Sequence, residues 1–316
     1  MNASEDGTAD QESSLLTPRI LIPFLFISLV WGSTWLVIKD QISDVPPSWS
    51  VSYRFIVAAA AMFILVAFKR LPFRLGRTGQ FWAMLIGIAQ FSFNFHFVYN
   101  AELYITSGLV AVLFALLMVP NAVLGRIFLG QRIKGTFLVG SAIAATGIAL
   151  LLWHEYKSSP ATITDVILGM TLTICGLLSA SSANVMQALP KLRSLPIFTL
   201  LAWAMFWGSV FNITMAWVTA GPPVMEMRAG YIGGIFYLAL IGSVMTFPLY
   251  FALVREIGAG KAAYSSVLVP VVAMILSTLF EGYTWTALPV AGALLAMAGL
   301  IVALRARKPK MPRVVA

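Results

Sequence analysis

Apolar positions along this chain fall into ten nearly uninterrupted runs of roughly 20 residues, the length an α-helix needs to cross a hydrocarbon core of ~30 Å. The runs are Ile20–Ile38, Trp49–Phe68, Phe81–Ala101, Ser107–Leu129, Gly135–Trp153, Val166–Gln187, Ile197–Thr219, Ala229–Val254, Ala262–Phe280 and Thr286–Leu304. Membrane-barrel strands would alternate polar and apolar residues over about 10 positions, and these runs are continuous. The expected fold is an all-α integral membrane protein with ten transmembrane helices.

The pattern also repeats. Shifted by 152 residues, Ile105–Leu152 lies on Ile257–Leu304, with Gly108, Gly130, Gly140 and Gly147 falling on Gly260, Gly282, Gly292 and Gly299. Each copy is two apolar runs joined by a turn at Gly130 or Gly282, a repeated helical hairpin. Five runs per half is an odd number, so the halves are expected to sit in the membrane with opposite orientation. Such inverted repeats mark secondary transporters, whose substrate site lies near the membrane midplane between the repeats. The boundaries read as a disordered tail 1–18, a first repeat 19–153, a connector 154–165, a second repeat 166–304 and a basic tail 305–316. The tail carries neither the basic start nor the small-residue cleavage site of a signal peptide, so the first run is expected to stay as a span.

Composition agrees: 59% apolar residues, 10% charged, mean hydropathy +0.88. The net charge of +9 does not call for nucleic acid, because nearly all of the 21 Lys and Arg residues fall at the ends of runs, between them or after the last one. With the N-terminus inside, 17 of them lie in cytoplasmic segments and Lys39, Lys157 and Arg228 in outer loops, the bias that sets membrane topology. Both termini are therefore expected in the cytoplasm, and the bilayer is the main partner.

Arg54 is the one Lys or Arg left inside a run, about five residues or ~8 Å from its start at 1.5 Å per residue. Two readings are open: it snorkels to the interface, or it faces a cavity and binds an anionic group. In the third run Gln90, Asn94, Asn100 and Tyr104 share an arc of about 120° on an α-helix, with His96 at its border and Phe93 and Phe97 among them. Phe91 and Phe95 point away from that arc and read as packing or lipid-facing. His96 reads equally as a structural or a protonating residue. Ser243, Thr246 and Tyr250 share a face of the eighth run beside Pro248; Trp31, Ser33, Thr34, Trp203, Trp207 and Tyr264 add aromatic and hydroxyl surface. Thr171, Cys175, Ser179 and Ser182 read as a packing stripe, and Trp49, Trp82, Trp153 and Trp285 as an interfacial belt. The single cysteine, Cys175, and the absence of acidic residues well inside a run leave no expected metal centre, cofactor or catalytic set. A membrane scaffold without cargo is the alternative to a transporter, and an intramembrane enzyme is disfavoured.

The chain resembles the EamA-type transporters of the drug/metabolite transporter superfamily. The likeness rests on Trp31-Gly32-Ser33, Tyr53-Arg54-Phe55, Ser107-Gly108-Leu109-Val110-Ala111, Pro120 and the hairpins ending in Gly140/Gly147 and Gly292/Gly299, over residues 20–304. It implies two five-helix repeats around a central cavity, and the carriage of metabolites such as amino acids, nucleobases or vitamins, often as exporters of a bacterial inner membrane; a monomer or homodimer is expected. Relatives often carry a glutamate after the hairpin-turn glycine; here Gln131 follows Gly130 and Glu281 precedes Gly282.

Overall fold

A computed structural model describes residues 18–305 except 43, 131, 159–161, 251 and 254–264. The expectations placed on the two tails, Gln131, part of the 154–165 connector and Tyr264 lie outside the described residues. The described chain is helical: α1 (Pro18–Gln41), α2 (Pro47–Phe68), α3 (Gly76–Ala101), α4 (Ser107–Leu129), α5 (Gly135–Ser158), α6 (Ile163–Gln187), α7 (Ile197–Ala220), α8 (Ala229–Tyr250), α9 (Ser265–Phe280) and α10 (Ala287–Arg305). Eight are long and apolar enough to span a bilayer, and the apolar segments Leu268–Phe280 of α9 and Ala287–Ala303 of α10 are shorter.

The helices pair in a pattern that is preserved when each of α1–α5 is exchanged with its counterpart in α6–α10. Helix α1 packs on α9 as α6 packs on α4; α2 packs on α7, and α5 on α10. Counterparts run antiparallel. In α2 and α7, Trp49 meets Trp217 while Phe63, four turns further on, meets Trp203. Trp49 is thus buried in that interface, 3% exposed, rather than in an interfacial belt; Trp153 and Trp285 are exposed as a belt requires.

Helices α5 and α10 approach to direct backbone contact at three glycines. A Cβ at Gly140 would lie 2.3 Å from the Ala303 nitrogen, one at Gly147 2.3 Å from the Ala296 nitrogen, and one at Gly299 2.2 Å from the Ala144 nitrogen. Only a hydrogen side chain permits this backbone contact, as at small-residue interfaces in membranes generally. The turn glycines of the repeat, Gly130 and Gly282, both take left-handed conformations, φ 65° and 71°, which a side chain would resist. The two hairpins are thereby matched in turn and in packing.

Helices α3 and α8 are irregular at corresponding places. Residues Gly87–Phe93 and Tyr237–Met245 form π-helical turns, which leave backbone carbonyls out of the regular ladder. In an apolar medium such groups need partners. Ser179 of α6 donates to the Ala89 carbonyl (2.8 Å), Asn94 Nδ2 to that of Gln90 (3.3 Å), and Asn212 of α7 to that of Phe91 (3.0 Å). In α8 Ser243 donates to the Leu238 carbonyl (2.8 Å) and Thr246 to that of Gly242 (2.7 Å).

Candidate functional site

The irregular segments, together with Pro120 in α4 and Pro270 in α9, surround a central cavity. Its lining comes from α1 (Trp31, Thr34, Trp35, Ile38), α2 (Arg54), α3 (Gln90, Asn94, Phe95, Val98), α4 (Ala111 to Asn121), α6 (Ala180, Asn184), α8 (Gly242, Phe247, Tyr250) and α9 (Val269, Pro270). Proline at 120 cannot donate an amide to Leu116, and the turn before it tightens to a 3₁₀ segment, Ala115–Leu117, which faces the cavity. Helices α5, α7 and α10 supply none of these lining residues, so the aromatic groups Trp203 and Trp207 lie elsewhere. They donate to the Phe73 carbonyl (2.7 Å) and Gln80 Oε1 (2.9 Å).

Arg54 is 2% exposed, so its side chain does not snorkel out of the protein. Its guanidinium stacks on Phe95 at 4.2 Å from the ring centroid and lies 5.2 Å from that of Phe55. Nη2 and Nε donate to the single hydroxyl of Ser243, at 3.2 and 3.4 Å. Nη1 is buried with no hydrogen-bond partner among the described residues, although the Tyr99 side chain also lies against the guanidinium. Among the described residues no carboxylate pairs with it. A guanidinium in this setting is held by aromatic faces and one hydroxyl, and one of its edges has an unused donor.

Aromatic rings form the rest of the wall. Trp31 donates through Nε1 to Thr246 Oγ1 (2.9 Å), with its ring centroid 5.2 Å from Tyr250 and 5.6 Å from Phe247; Trp35 lies 5.2 Å from Phe114. Amides complete it: Gln90, Asn94, and the pair Asn121–Asn184, whose side chains meet at 3.4 Å.

Among the residues singled out from sequence, Trp31, Arg54, Gln90, Asn94 and Tyr250 come together in this wall. Ser243 and Thr246 stand directly behind it, holding Arg54 and Trp31. Ser33 instead meets the Tyr237 hydroxyl (2.6 Å). His96 is buried beside Asn212 of α7, and Asn100 donates to the His96 carbonyl at 2.7 Å, so neither faces the cavity. The arc on α3 fails because the π turn changes the residue phase: Phe95, expected to face away, is brought under Arg54. Phe95, Trp35, Asn121 and Asn184 were missed. Lone amides in apolar runs, Asn121 and Asn184, were the available signal.

Antiparallel counterparts, as in α2–α7 and α5–α10, around a central cavity where Arg54 has no carboxylate partner among the described residues suit a multi-pass membrane transporter. Comparison with known proteins agrees. Residues 19–153 and 167–305 each match the EamA-like transporter family, and the chain belongs to that family. It is 26% identical over 265 residues to protein PagO of Salmonella typhimurium, covering 84% of this chain and 86% of that protein. A probable amino-acid metabolite efflux pump of Escherichia coli is 26% identical over 289 residues, covering 88% and 92%. A solved crystal structure shares the fold with a TM-score of 0.66 at 14% identity, over 89% of this chain and 95% of that one.

Proposed function

We propose that the protein exports a small amphipathic metabolite bearing a carboxylate or similar anionic group, an amino acid or a close derivative, by alternating access around the central cavity. In this reading the chain crosses a bacterial inner membrane ten times as two inverted five-helix repeats. The excess of Lys and Arg in alternate loops supports placing both termini in the cytoplasm and the Arg228 end outside. Arg54 carries the proposal, since its buried Nη1 is a donor without an acceptor. An anionic oxygen there would complete its hydrogen bonding, and the aromatic wall would take the apolar part. The names of relatives such as the Escherichia coli efflux pump support an amino-acid-like cargo and outward direction.

The test is ligand-dependent thermal stabilisation of the purified full-length protein across a panel of amino acids, their keto and N-acyl derivatives, and matched amides. A ligand that binds only the folded state raises its melting temperature. Acids are expected to stabilise and their amides not. Arg54→Lys should weaken binding about tenfold, or 1.4 kcal/mol, because an ammonium lacks the planar fork. Equal stabilisation by acids and amides would remove Arg54 from substrate recognition.

A further inference from the structure

Above the cavity, at the Arg228 end, the helices are closed by a layer of buried polar groups. Gln41 links to the Tyr231 carbonyl (3.4 Å) and accepts from the Tyr99 hydroxyl (3.3 Å), while Ser50 meets Tyr231 (2.8 Å). Beside this layer lies a cluster the transport reading does not use. Glu102, just past the end of α3, is fully buried, yet among the described residues neither oxygen of its carboxylate has a hydrogen-bond partner. Lys39 of α1 donates to the Glu102 backbone carbonyl and not to its carboxylate. Glu281, just past α9, accepts from the Ser107 hydroxyl (2.5 Å) and backbone amide (3.3 Å) at the start of α4. A cleft lined by Lys39, Asp40, Tyr237, Phe280 and Glu281 reaches the cluster from the surface.

A buried carboxylate with two idle oxygens is a costly arrangement if charged. With both glutamates ionised the cluster of Glu102, Glu281 and Lys39 carries one net negative charge, and a single proton makes it neutral. We infer that Glu102, with Glu281 beside it, forms a proton-binding site that operates the gate at the Arg228 end, one proton on the Glu102 carboxyl holding it shut. This inference rests on the transporter reading. A metal cation is a poorer occupant, because Lys39 already places a positive charge there and Ser107 uses both oxygens of Glu281.

The electrostatics run the same way. Burial first, and the Glu281 charge second, push the Glu102 carboxyl well above the usual carboxylate range, with Lys39 opposing. Other groups facing the site are Tyr99, in electrostatic contact with both Glu102 and Arg54, and His154, bonded to the Thr284 carbonyl (3.0 Å). Further out, Arg228 pairs with Asp40 (3.0 Å) and Glu226 (2.5 Å). Because the sealed state raises the Glu102 value, its extra stability is complete below the ordinary carboxylate range. It is lost as pH rises through the raised value. Two bare carboxylates then repel, and the segments that bear them separate.

Two readouts on the full-length protein need no substrate, so they stand or fall separately from the Arg54 assignment. Dicyclohexylcarbodiimide, which adds to protonated carboxyls in apolar surroundings, should label Glu102 up to pH values above the ordinary carboxylate range. In Glu281→Gln the midpoint should fall by about one unit or more, since the like charge is gone. Spin labels at Leu103→Cys and Thr284→Cys in a Cys175→Ser background should move apart as pH rises. In Glu102→Gln and Glu281→Gln, whose clusters are neutral without an added proton, the distance should stay short. If Glu102→Gln does not fold, Glu281→Gln alone carries the comparison. Absence of Glu102 labelling, a distance independent of pH, or protection of Glu102 by sodium would each overturn the proton gate.

Discussion

The pairs α5–α10 and α3–α8 are built from the same duplicated pattern and solve opposite problems. In α5 and α10 the repeat places glycines where two backbones touch, leaving no room for movement or solvent. In α3 and α8 it places π turns whose spare carbonyls are held by side chains, and the cavity opens beside them. One pair is fastened by absence of side chains, while the π turns of the other are held by polar side chains. The lesson is that a transporter separates its fixed joint from its adaptable wall on different helices, even within one repeat.

That contrast can be broken first at the joint. Gly147→Ala puts a methyl group 2.3 Å from the Ala296 nitrogen, which must move as backbone. A loss of about 3 kcal/mol is expected, the upper range for overpacking, read as a lowered melting temperature in detergent. Gly135→Ala, with open space around it, should melt like the parent protein. At the wall, Arg54→Ala should keep the folded protein yet weaken binding of the stabilising acid about a hundredfold, near 2.7 kcal/mol. Titration with that acid checks it. Phe95→Leu removes the ring beneath the guanidinium and should cost about 1 kcal/mol of binding, the scale of a cation–π contact, in the same titration. The smallest effect is expected from His96→Gln. It lies outside the cavity, so affinity for the acid should stay within about twofold while stability falls modestly, by ~1 kcal/mol.

Much of the bundle could be read in the chain because its causes are local. Run length marked the apolar helices, and glycines in matched register marked the repeated hairpin, though not that α5 would pack on α10. The cavity wall was legible in part: Arg54, Trp31, Gln90, Asn94 and Tyr250 were singled out from sequence and line it. The polar face of α3 was misread because Gln90, Asn94, Asn100 and Tyr104 share an arc only on an uninterrupted α-helix. The turn at Gly87–Phe93 breaks that spacing, taking Asn100 out of the wall and bringing Phe95 in.

Hydrophobic periodicity, glycine spacing and the distribution of Lys and Arg are one-dimensional properties, and they determined the class of protein and its duplication; that α5 packs on α10 came only from the tertiary structure. Tertiary structure alone decided which way Arg54 points, because Phe95, Phe55 and Ser243 meet it from three helices. It alone decided that Glu102 would face Glu281 across 179 residues of chain. The π turn of α3 has carbonyls satisfied by donors from other helices, Ser179 of α6 and Asn212 of α7. No pattern within α3 itself records those partners.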